Sequence, residues 1–146
     1  MQLTIYLSGE IHSDWREQIR QGIQDNNLPI EVLTPITDHD ASDHVGVNIL
    51  GGEEKSFWKD HKAAKINAIR IRHGIDKADV VVVKFGEKYR QWNAAFDAGY
   101  AVAKGKSLIV LHPPEHTHAL KEVDAAAAAV AETPEQVVEI LKYILM

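Results

Sequence analysis

The stretch ADVVVVKFGEKYRQWNAAFDAGYAVAKG at residues 78–105 contains a run of four valines, then a polar loop, then a helix-forming segment that ends at Gly105. A continuous β-branched run is typical of a parallel strand covered on both faces, so residues 80–83 are predicted to form the central buried strand of a sheet. The next helix is predicted to begin at Asn93. Asp97 is the one carboxylate in the otherwise apolar first turns of that helix.

Asp97 is predicted to lie where open α/β sheets bind ligands, beyond the carboxyl ends of the strands. Burial of a polar group without a partner costs about 2–7 kcal/mol. Asp97 therefore requires a hydrogen-bond partner, a ligand or access to solvent. The first and third possibilities are purely structural, whereas the second makes Asp97 part of a binding or catalytic site.

Strands and helices alternate on both sides of this stretch. Four further strands are predicted, at residues 3–7, 30–33 and 107–112 and in a short part of the alanine tract 125–131. In that tract the helix preference of alanine leaves the assignment open, and a strand is favoured because the alternation of elements requires one. A helical pattern covers residues 56–77. The polar residues 37–54, with three glycines, are predicted to form a functional or mobile loop and are the best candidate for a lid.

Two further helices carry start signals in the sequence. Asp14 and Glu17 have the spacing of a capping box, for a helix that runs to about residue 26. Thr133 and Gln136 form a second box with Pro134 at the first helical position, for a helix that ends at residue 143 or 145. The alternation predicts one domain over residues 1–146. Its fold is expected to be a doubly wound, flavodoxin-like or Rossmann-like α/β sheet of about five mainly parallel strands with helices on both faces.

Composition narrows the class of protein. The 146 residues are 45% hydrophobic and 25% charged, as in soluble globular proteins. No apolar run approaches the roughly 20 residues that span a bilayer, and the first residues lack a signal-peptide pattern. A cytoplasmic protein without membrane contact is therefore expected. The absence of cysteine excludes disulfides, thiol catalysis and thiolate metal sites.

Charge argues against long nucleic acid as a partner. The net charge is −5 and the 16 basic residues are dispersed, whereas a protein that neutralises many phosphates needs a basic stripe. A single phosphate on a small ligand needs only a helix amino terminus and one arginine, so a mononucleotide remains possible. The residues that could hold a divalent ion match no metal motif and are interpreted as a solvated loop: Asp38, His39, Asp40, Asp43 and His44. No metal or cofactor is predicted.

Three motifs carry a resemblance to a known family. Residues 3–9 read LTIYLSG, residues 75–83 lead into the valine strand, and residues 96–101 read FDAGYA. They resemble the nucleoside 2-deoxyribosyltransferase superfamily, and most closely its YtoQ branch, to which the similarity extends end to end. In the superfamily the helix motif is an acid, any residue, then Gly-Tyr-Ala. The acid is a glutamate nucleophile that attacks the anomeric carbon of a deoxyribose, and Asp97, one methylene shorter, falls on that position.

The resemblance also implies roles for other polar residues. Tyr6 would orient Asp97, although a core aromatic with a polar tip is an equal alternative. Asp79 matches a recurrent family aspartate, or is a strand-start residue bonded to nearby backbone. Gln91 stands where the superfamily has a second acid, and a glutamine can hold a base but cannot supply a proton. Glu87 in the same loop could replace that acid, although an exposed loop glutamate is the commoner outcome.

Further residues are implied in binding the substrate. The loop of Ser8, Gly9, Ser13 and Arg16 resembles the phosphate-binding loop of deoxynucleoside-monophosphate hydrolases in the same superfamily, with Arg16 about one residue further on. Backbone N–H groups of such a loop can bind an anion. Indoles can stack on a nucleobase or pack in the core. The remaining predicted substrate contacts are Trp15, Trp92, Asn93 and Gly99.

These observations lead to one functional hypothesis and two alternatives. The leading hypothesis is binding of a small nucleoside or nucleotide, with N-glycosidic bond cleavage or 2-deoxyribosyl transfer through Asp97 and without a cofactor. The first alternative is a catalytically silent nucleotide-binding or sensing module on the same fold. The second is a flavodoxin-like scaffold that acts only through protein contacts. The resemblance alone implies a homo-oligomer in which a neighbour completes the site.

Overall fold

The computed structural model describes residues 1–88 and 90–146; Tyr89, in the loop predicted before the Asp97 helix, lies outside the described residues. Five strands form one sheet in the order β2-β1-β3-β4-β5, and every neighbouring pair is parallel. The strands are β1 (Leu3–Gly9), β2 (Ile30–Leu33), β3 (Val80–Lys84), β4 (Ser107–Leu111) and β5 (Ala129–Ala131). The valine strand β3 occupies the central position, as predicted, and the sheet is parallel throughout rather than mainly parallel.

The described part of the chain contains six α-helices and one 3-10 turn. The helices are α1 (Trp15–Asp25), α2 (His39–Leu50), α3 (Ser56–Lys77), α4 (Trp92–Ala103), α5 (Lys121–Ala126) and α6 (Pro134–Ile144). Helices α1 and α6 pack on the sheet face formed by Ile5, Leu7 and Val82. Helices α3, α4 and α5 pack on the opposite face, with Tyr6 and Val81. The alternation of side chains along each strand thus builds two cores, and helices cover both faces as the fold class predicted.

The alanine tract contains both of the structures that its sequence suggests. Helix α5 ends at Ala126, and the short strand β5 follows at Ala129–Ala131, at the edge of the sheet. Helix α6 has the predicted capping box, in which Thr133 Oγ1 accepts from Gln136 N at 3.2 Å and Gln136 Oε1 accepts from Thr133 N at 3.3 Å.

The capping box predicted for α1 is wrong. Asp14 is the N-cap residue, but its side chain accepts no backbone N–H of the first turn. It accepts instead from Gln18 Nε2, at 2.6 Å. The helix is held by its apolar face, where Trp15, Ile19 and Ile23 enter the core.

The prediction of a loop over residues 37–54 is also wrong, because most of this segment is helix α2. Asp38 caps the helix by accepting from Ala41 N at 2.9 Å. Gly46 permits close packing on α3, since a Cβ at that position would lie 2.4 Å from Lys62 Cβ and 2.7 Å from Ala63 N. Helix α2 forms a wall beside the carboxyl ends of β1 and β2.

A buried histidine holds the chain where β4 ends. His112 is almost fully buried, and its Nε2 lies 3.0 Å and 2.9 Å from the two carboxylate oxygens of Asp124. Its Nδ1 lies 2.7 Å from the carbonyl oxygen of Pro113. The His112 ring thus ties β4 to α5.

No helix in the described ranges is long and apolar enough to cross a membrane.

Candidate functional site

Asp97 lies on the second turn of α4, where the carboxyl end of β1 reaches the helix. Ser8 Oγ donates a hydrogen bond to Asp97 Oδ2 at 2.6 Å, and Ser8 itself is fully buried. Burial raises the pKa of Asp97, and the Ser8 hydrogen bond opposes part of that rise. The carboxylate therefore has one oxygen fixed by a protein donor and is more basic than an ordinary aspartate.

Asp97 also lines a cavity of about 260 Å³ at the carboxyl ends of β1 and β2. This Asp97 cavity is enclosed by the loop after β1, the segment after β2 and helices α2, α3 and α4. Its lining residues are Ser8, Gly9, Ile11, Pro35, Ile36, His39, Ser42, Asp43, Asn67, Arg70, Ile71, Asn93 and Asp97. A second concavity of about 500 Å³ adjoins it, sharing Asp97 and Asn93 and extending towards Phe96 and Tyr100. Asp97 thus faces the space where a ligand would lie in an open α/β sheet.

Helices α2 and α3 contribute polar residues that the sequence interpretation missed. His39 Nδ1 lies 3.3 Å from Asp43 Oδ2, one helical turn along α2. On α3, Arg70 Nε donates to the carbonyl oxygen of Thr34 at 3.3 Å. Asn67 Nδ2 donates to the carbonyl oxygen of Ser42 at 3.0 Å and so joins the two helices. The i, i+4 spacing of His39 and Asp43 would have revealed this face had residues 39–50 been recognised as a helix.

Tyr6 lies beneath the site, and its hydroxyl does not hold Asp97. The hydroxyl is buried and has no hydrogen-bond partner among the described residues. Burial, followed by the negative charge of Asp97, raises the pKa of Tyr6, so the phenol is neutral. Ser8, which was predicted to contact substrate, makes the contact with Asp97 that the resemblance assigned to Tyr6.

The predicted phosphate loop is closed by its own side chains. Ser13 Oγ donates to Glu10 Oε2 at 2.5 Å, and the backbone N–H of His12 donates to the other carboxylate oxygen of Glu10. Arg16 is buried, and its guanidinium donates to the carbonyl oxygens of Leu7 at 3.2 Å, Glu10 at 2.6 Å and Gly9 at 3.2 Å. Burial lowers the pKa of Arg16 to about 10. Ser13 and Arg16 thus hold the loop together, and the buried Glu10 carboxylate takes donors that a phosphate would need.

Gly9 has a structural reason to be glycine. Its φ is +107°, and a Cβ there would lie 2.1 Å from the carbonyl oxygen of Lys84. The residue lets the chain turn sharply at the end of β1, beside β3. Gly9 also lines the Asp97 cavity, so a ligand can approach its backbone.

Three predicted site residues lie away from Asp97. Trp15 is in the core, where its Nε1 donates to the carbonyl oxygen of Glu10 at 2.8 Å. Asp79 precedes β3 and accepts from Thr4 N at 2.8 Å, at the amino end of the sheet, opposite the cavity. Gly99 lies on another face of α4, beside Val102 and Leu108. Trp15 thus packs in the core and Asp79 bonds to nearby backbone, which are the structural alternatives stated for these two residues in the sequence analysis.

Glu87, Gln91 and Trp92 border a different cavity. It measures about 510 Å³, lies between the loop after β3 and helix α5, and is lined mainly by apolar groups such as Leu120 and Val123. Gln91 Oε1 accepts from Gly86 N at 2.9 Å, and Trp92 is 75% exposed. Of the residues predicted around the start of α4, Asn93 is the one that lines the Asp97 cavity.

The described residues contain no group of three or more His, Asp or Glu side chains that could hold a metal ion. The Asp97 cavity is lined by two carboxylates, an imidazole, a guanidinium and two carboxamides. A carboxylate in this setting can act as a nucleophile, and the imidazole can carry a proton.

Comparison with known proteins agrees with this architecture. The family model described as nucleoside 2-deoxyribosyltransferase YtoQ matches residues 6–145. YtoQ of Bacillus subtilis is 44% identical over 144 residues, which cover 99% of this chain and 97% of that protein.

Solved structures share the fold at low sequence identity. A 2-deoxyribosyltransferase from Bacillus psychrosaccharolyticus has a TM-score of 0.59 at 18% identity, covering 92% of this chain and 90% of its own. A conserved protein from Enterococcus faecalis has a TM-score of 0.64 at 17% identity, covering 99% of both chains. The CMP N-glycosidase BcmB of Clostridium botulinum has a TM-score of 0.51 at 11% identity, covering 97% of this chain and 98% of its own. At these identities the likeness is one of fold.

Proposed function

Because the chain belongs to the nucleoside 2-deoxyribosyltransferase YtoQ family, we propose that it cleaves or transfers the N-glycosidic bond of a nucleoside or nucleotide, with Asp97 as the nucleophile. The observation that carries the proposal is the 2.6 Å hydrogen bond from Ser8 Oγ to an Asp97 carboxylate that lines a cavity at the carboxyl ends of the strands. Two neighbours of the same fold are a 2-deoxyribosyltransferase and a CMP N-glycosidase, which supports this class of substrate.

The proposed reaction has two steps at the anomeric carbon. In the first, a carboxylate oxygen of Asp97 bonds to C1′ while the glycosidic bond breaks and its electron pair leaves with the base. In the second, water or an acceptor base attacks C1′ and releases Asp97. Ser8 holds Oδ2, which leaves Oδ1 for the attack. The raised pKa of Asp97 makes its carboxylate a stronger nucleophile once it is ionised.

Neighbouring polar groups would position the sugar. Asn93 lies one helical turn before Asp97 on α4, and Asn67 faces the same cavity from α3. Arg70 is the guanidinium in this cavity, so it replaces Arg16 as the proposed contact for a 5′-phosphate. Since an aspartate is one methylene shorter than the glutamate of the superfamily, the sugar must lie close to α4.

We further propose a homo-oligomer assembled through α3 and α4. Large apolar side chains are exposed along these helices, including Phe57, Trp58, Ile69 and Phe96. Phe96 adjoins Asp97 and lines the second concavity, so a neighbouring copy seated there would border the site. Sedimentation velocity should show a dimer or larger species. A monomer at millimolar concentration would remove this part of the proposal.

A catalytically silent binding or sensing module is the second candidate. The observation that favours it is Gln91, which stands at the position of the second acid and uses its side-chain oxygen to accept from Gly86 N. Such a module would bind a nucleoside and release no base. It would also keep its affinity when Asp97 becomes Asn.

The test is turnover of defined substrates by the purified full chain. Deoxynucleosides and their 5′-monophosphates are incubated with and without a free acceptor base, and base release is followed by chromatography. Asp97→Ala and Asp97→Asn should abolish release, whereas Asp60→Asn, an exposed carboxylate on α3 outside the Asp97 cavity, should not. Acceptor dependence separates transfer from hydrolysis. Binding without any release would support the sensing module.

A further inference from the structure

A departing nucleobase requires a proton, and the structure offers a source that the family motif does not predict. Protonation of the leaving group by a positioned side chain contributes about 10²–10⁴-fold to a rate. Gln91 carries no acidic proton, and both Gln91 and Glu87 border the apolar cavity beside α5 rather than the Asp97 cavity. An acid that serves Asp97 must come from another wall of its own cavity.

We propose that His39 is the general acid of the first step and that Asp43 orients its ring. This inference rests on the proposed function of Asp97. His39 is the first residue of α2 and lines the Asp97 cavity together with Asp43. Imidazole is the side chain that most often donates and accepts protons near neutral pH.

The contact between the two residues favours one nitrogen as the donor to the base. His39 Nδ1 lies 3.3 Å from Asp43 Oδ2, and a carboxylate that only accepts favours a proton on the nitrogen beside it. Nε2 is then the nitrogen that exchanges a proton with a ligand. The side chains of His39 and Asp43 are 67% and 52% exposed, so both are open to solvent at the wall of the Asp97 cavity that they line. A carboxylate that holds one ring nitrogen while the other transfers a proton is the arrangement of hydrolytic triads.

The charges around this pair come from three helices. Asp97 lies on α4, Arg70 on α3, and Asp43 on α2 itself, all lining the one cavity. Asp40, the next residue of α2, is a further exposed carboxylate. Asp43 and Asp97 carry two negative charges and Arg70 one positive charge, so an imidazolium at His39 makes the cavity neutral. When the base departs, His39 gives up its proton and becomes neutral as Asp97 loses its negative charge to the bond with C1′.

The step balances in atoms and electrons. An Asp97 oxygen forms a bond to C1′ as the glycosidic bond breaks, and the electron pair of that bond moves onto the base. The base takes the proton from His39 Nε2 and leaves neutral. In the second step the neutral His39 accepts the proton from the attacking water or acceptor base, which restores the imidazolium as the sugar leaves Asp97.

The test compares His39→Gln and Asp43→Asn with a matched control on the same helix. His44→Gln is the control, because the His44 ring interacts with the carbonyl oxygen of Asp40 and with Lys59 Nζ instead of lining the cavity. With the deoxynucleoside that wild type turns over best, kcat of His39→Gln should fall about 100-fold or more while KM changes little. Asp43→Asn should lose less, and His44→Gln should match wild type. The decline of wild-type kcat at high pH, where the acid is deprotonated, should disappear in His39→Gln.

A second substrate makes the assignment specific. The 2-deoxyriboside of p-nitrophenol releases a leaving group that needs no proton, so the first-turnover release of p-nitrophenol should be close to the wild-type rate in His39→Gln and absent in Asp97→Ala. This result also shows that the variant is folded. Equal kcat of His39→Gln and wild type on the nucleoside would overturn the inference and leave Asp97 in place. Absence of turnover by wild type on both substrates would overturn the proposed function and, with it, this assignment.

Discussion

Replacing Tyr6 by phenylalanine should stabilise the free protein, since the substitution removes a buried hydroxyl that has no protein partner among the described residues. The ring of Tyr6 is fully buried between β1 and α3, where it packs against Gly74. Phenylalanine has the same ring, so the packing is retained. The neighbouring carboxylate of Asp97 is already held by Ser8, so the change breaks no hydrogen bond to Asp97.

The magnitude follows from the desolvation of the hydroxyl. An unsatisfied buried donor or acceptor costs about 1–3 kcal/mol. Its removal should therefore increase the free energy of unfolding of Tyr6→Phe by about 1–3 kcal/mol. For a domain of about 150 residues each kcal/mol raises Tm by roughly 2–4 °C, so the expected rise is roughly 2–12 °C.

Thermal and urea unfolding of wild type and Tyr6→Phe, followed by circular dichroism without ligand, measure this change. Tyr143→Phe is the matched control, because Tyr143 is 77% exposed and its substitution should change the free energy of unfolding by less than about 0.5 kcal/mol. If Tyr6→Phe is less stable than wild type, the hydroxyl has a partner in solution and the reasoning is refuted. A gain in stability together with weaker nucleoside binding would mean that the hydroxyl is kept for the ligand.

Three further changes test the site and its support. Burial raises the pKa of Asp97 above its ordinary value of 3.8, so the stability contributed by its protonated form is present below that value and is lost as pH rises through the folded-state pKa. Asp97→Asn should therefore be more stable than wild type at pH 7, and urea titrations should show the difference shrinking as the pH approaches 4. Gly74→Ala would place a methyl group 2.5 Å from Tyr6 Cε2 and should lower the free energy of unfolding by about 1–3 kcal/mol; an unchanged urea midpoint would show that α3 shifts freely. Asp124→Ala leaves the buried Nε2 of His112 without its acceptor and should cost about 1–3 kcal/mol in the same assay, with a smaller loss for Asp124→Asn.

The architecture was predictable because its strands have strong sequence patterns. Residues 80–83 are apolar on both faces, and in the structure both faces of β3 are covered by helices. Thr133, Pro134 and Gln136 specify a helix start through local hydrogen bonds, which do not depend on the rest of the chain. Signals of these two kinds are complete within a few residues, so the sequence alone indicates them.

Helix α2 was missed because its stabilisation comes from another helix. Residues 39–50 are rich in polar residues and include Gly46, which disfavours helix by about 1 kcal/mol relative to alanine. The close packing of Gly46 on Lys62 and Ala63 offsets this cost, and it exists only once α3 is in place. The N-cap at Asp38 was visible in the sequence but was interpreted as part of a solvated loop. His39 and Asp43 were missed as site residues for the same reason.

In the loop after β1, the hydrogen bonds of the predicted anion-binding residues could not be read from the family motif. Ser13 and Arg16 have the residue types of an anion site. Their donors are directed to Glu10 Oε2 and to three backbone carbonyl oxygens. A glutamate side chain folds back onto its own loop only if the packing around it leaves room. Here Gly86 leaves that room, because a Cβ added at this position would lie 2.5 Å from Glu10 Cγ. Sequence spacing carries no information about that packing.

The choice between the two cavities beside the start of α4 depends on chemistry rather than on size. The cavity next to α5 is the larger, at about 510 Å³ against about 260 Å³, and it has the exposed indole of Trp92 at its edge. Its acid, Glu87, is exposed on the loop after β3. Asp97 combines burial, a fixed hydrogen bond and a cavity with Arg70 and His39 on its walls. An oxocarbenium-like transition state is positive at the sugar and leaves an electron pair on the base, so it needs a carboxylate beneath C1′ and a proton donor across from it. Among the described residues these two requirements meet in the smaller cavity, which supports the proposal that the nucleoside binds there.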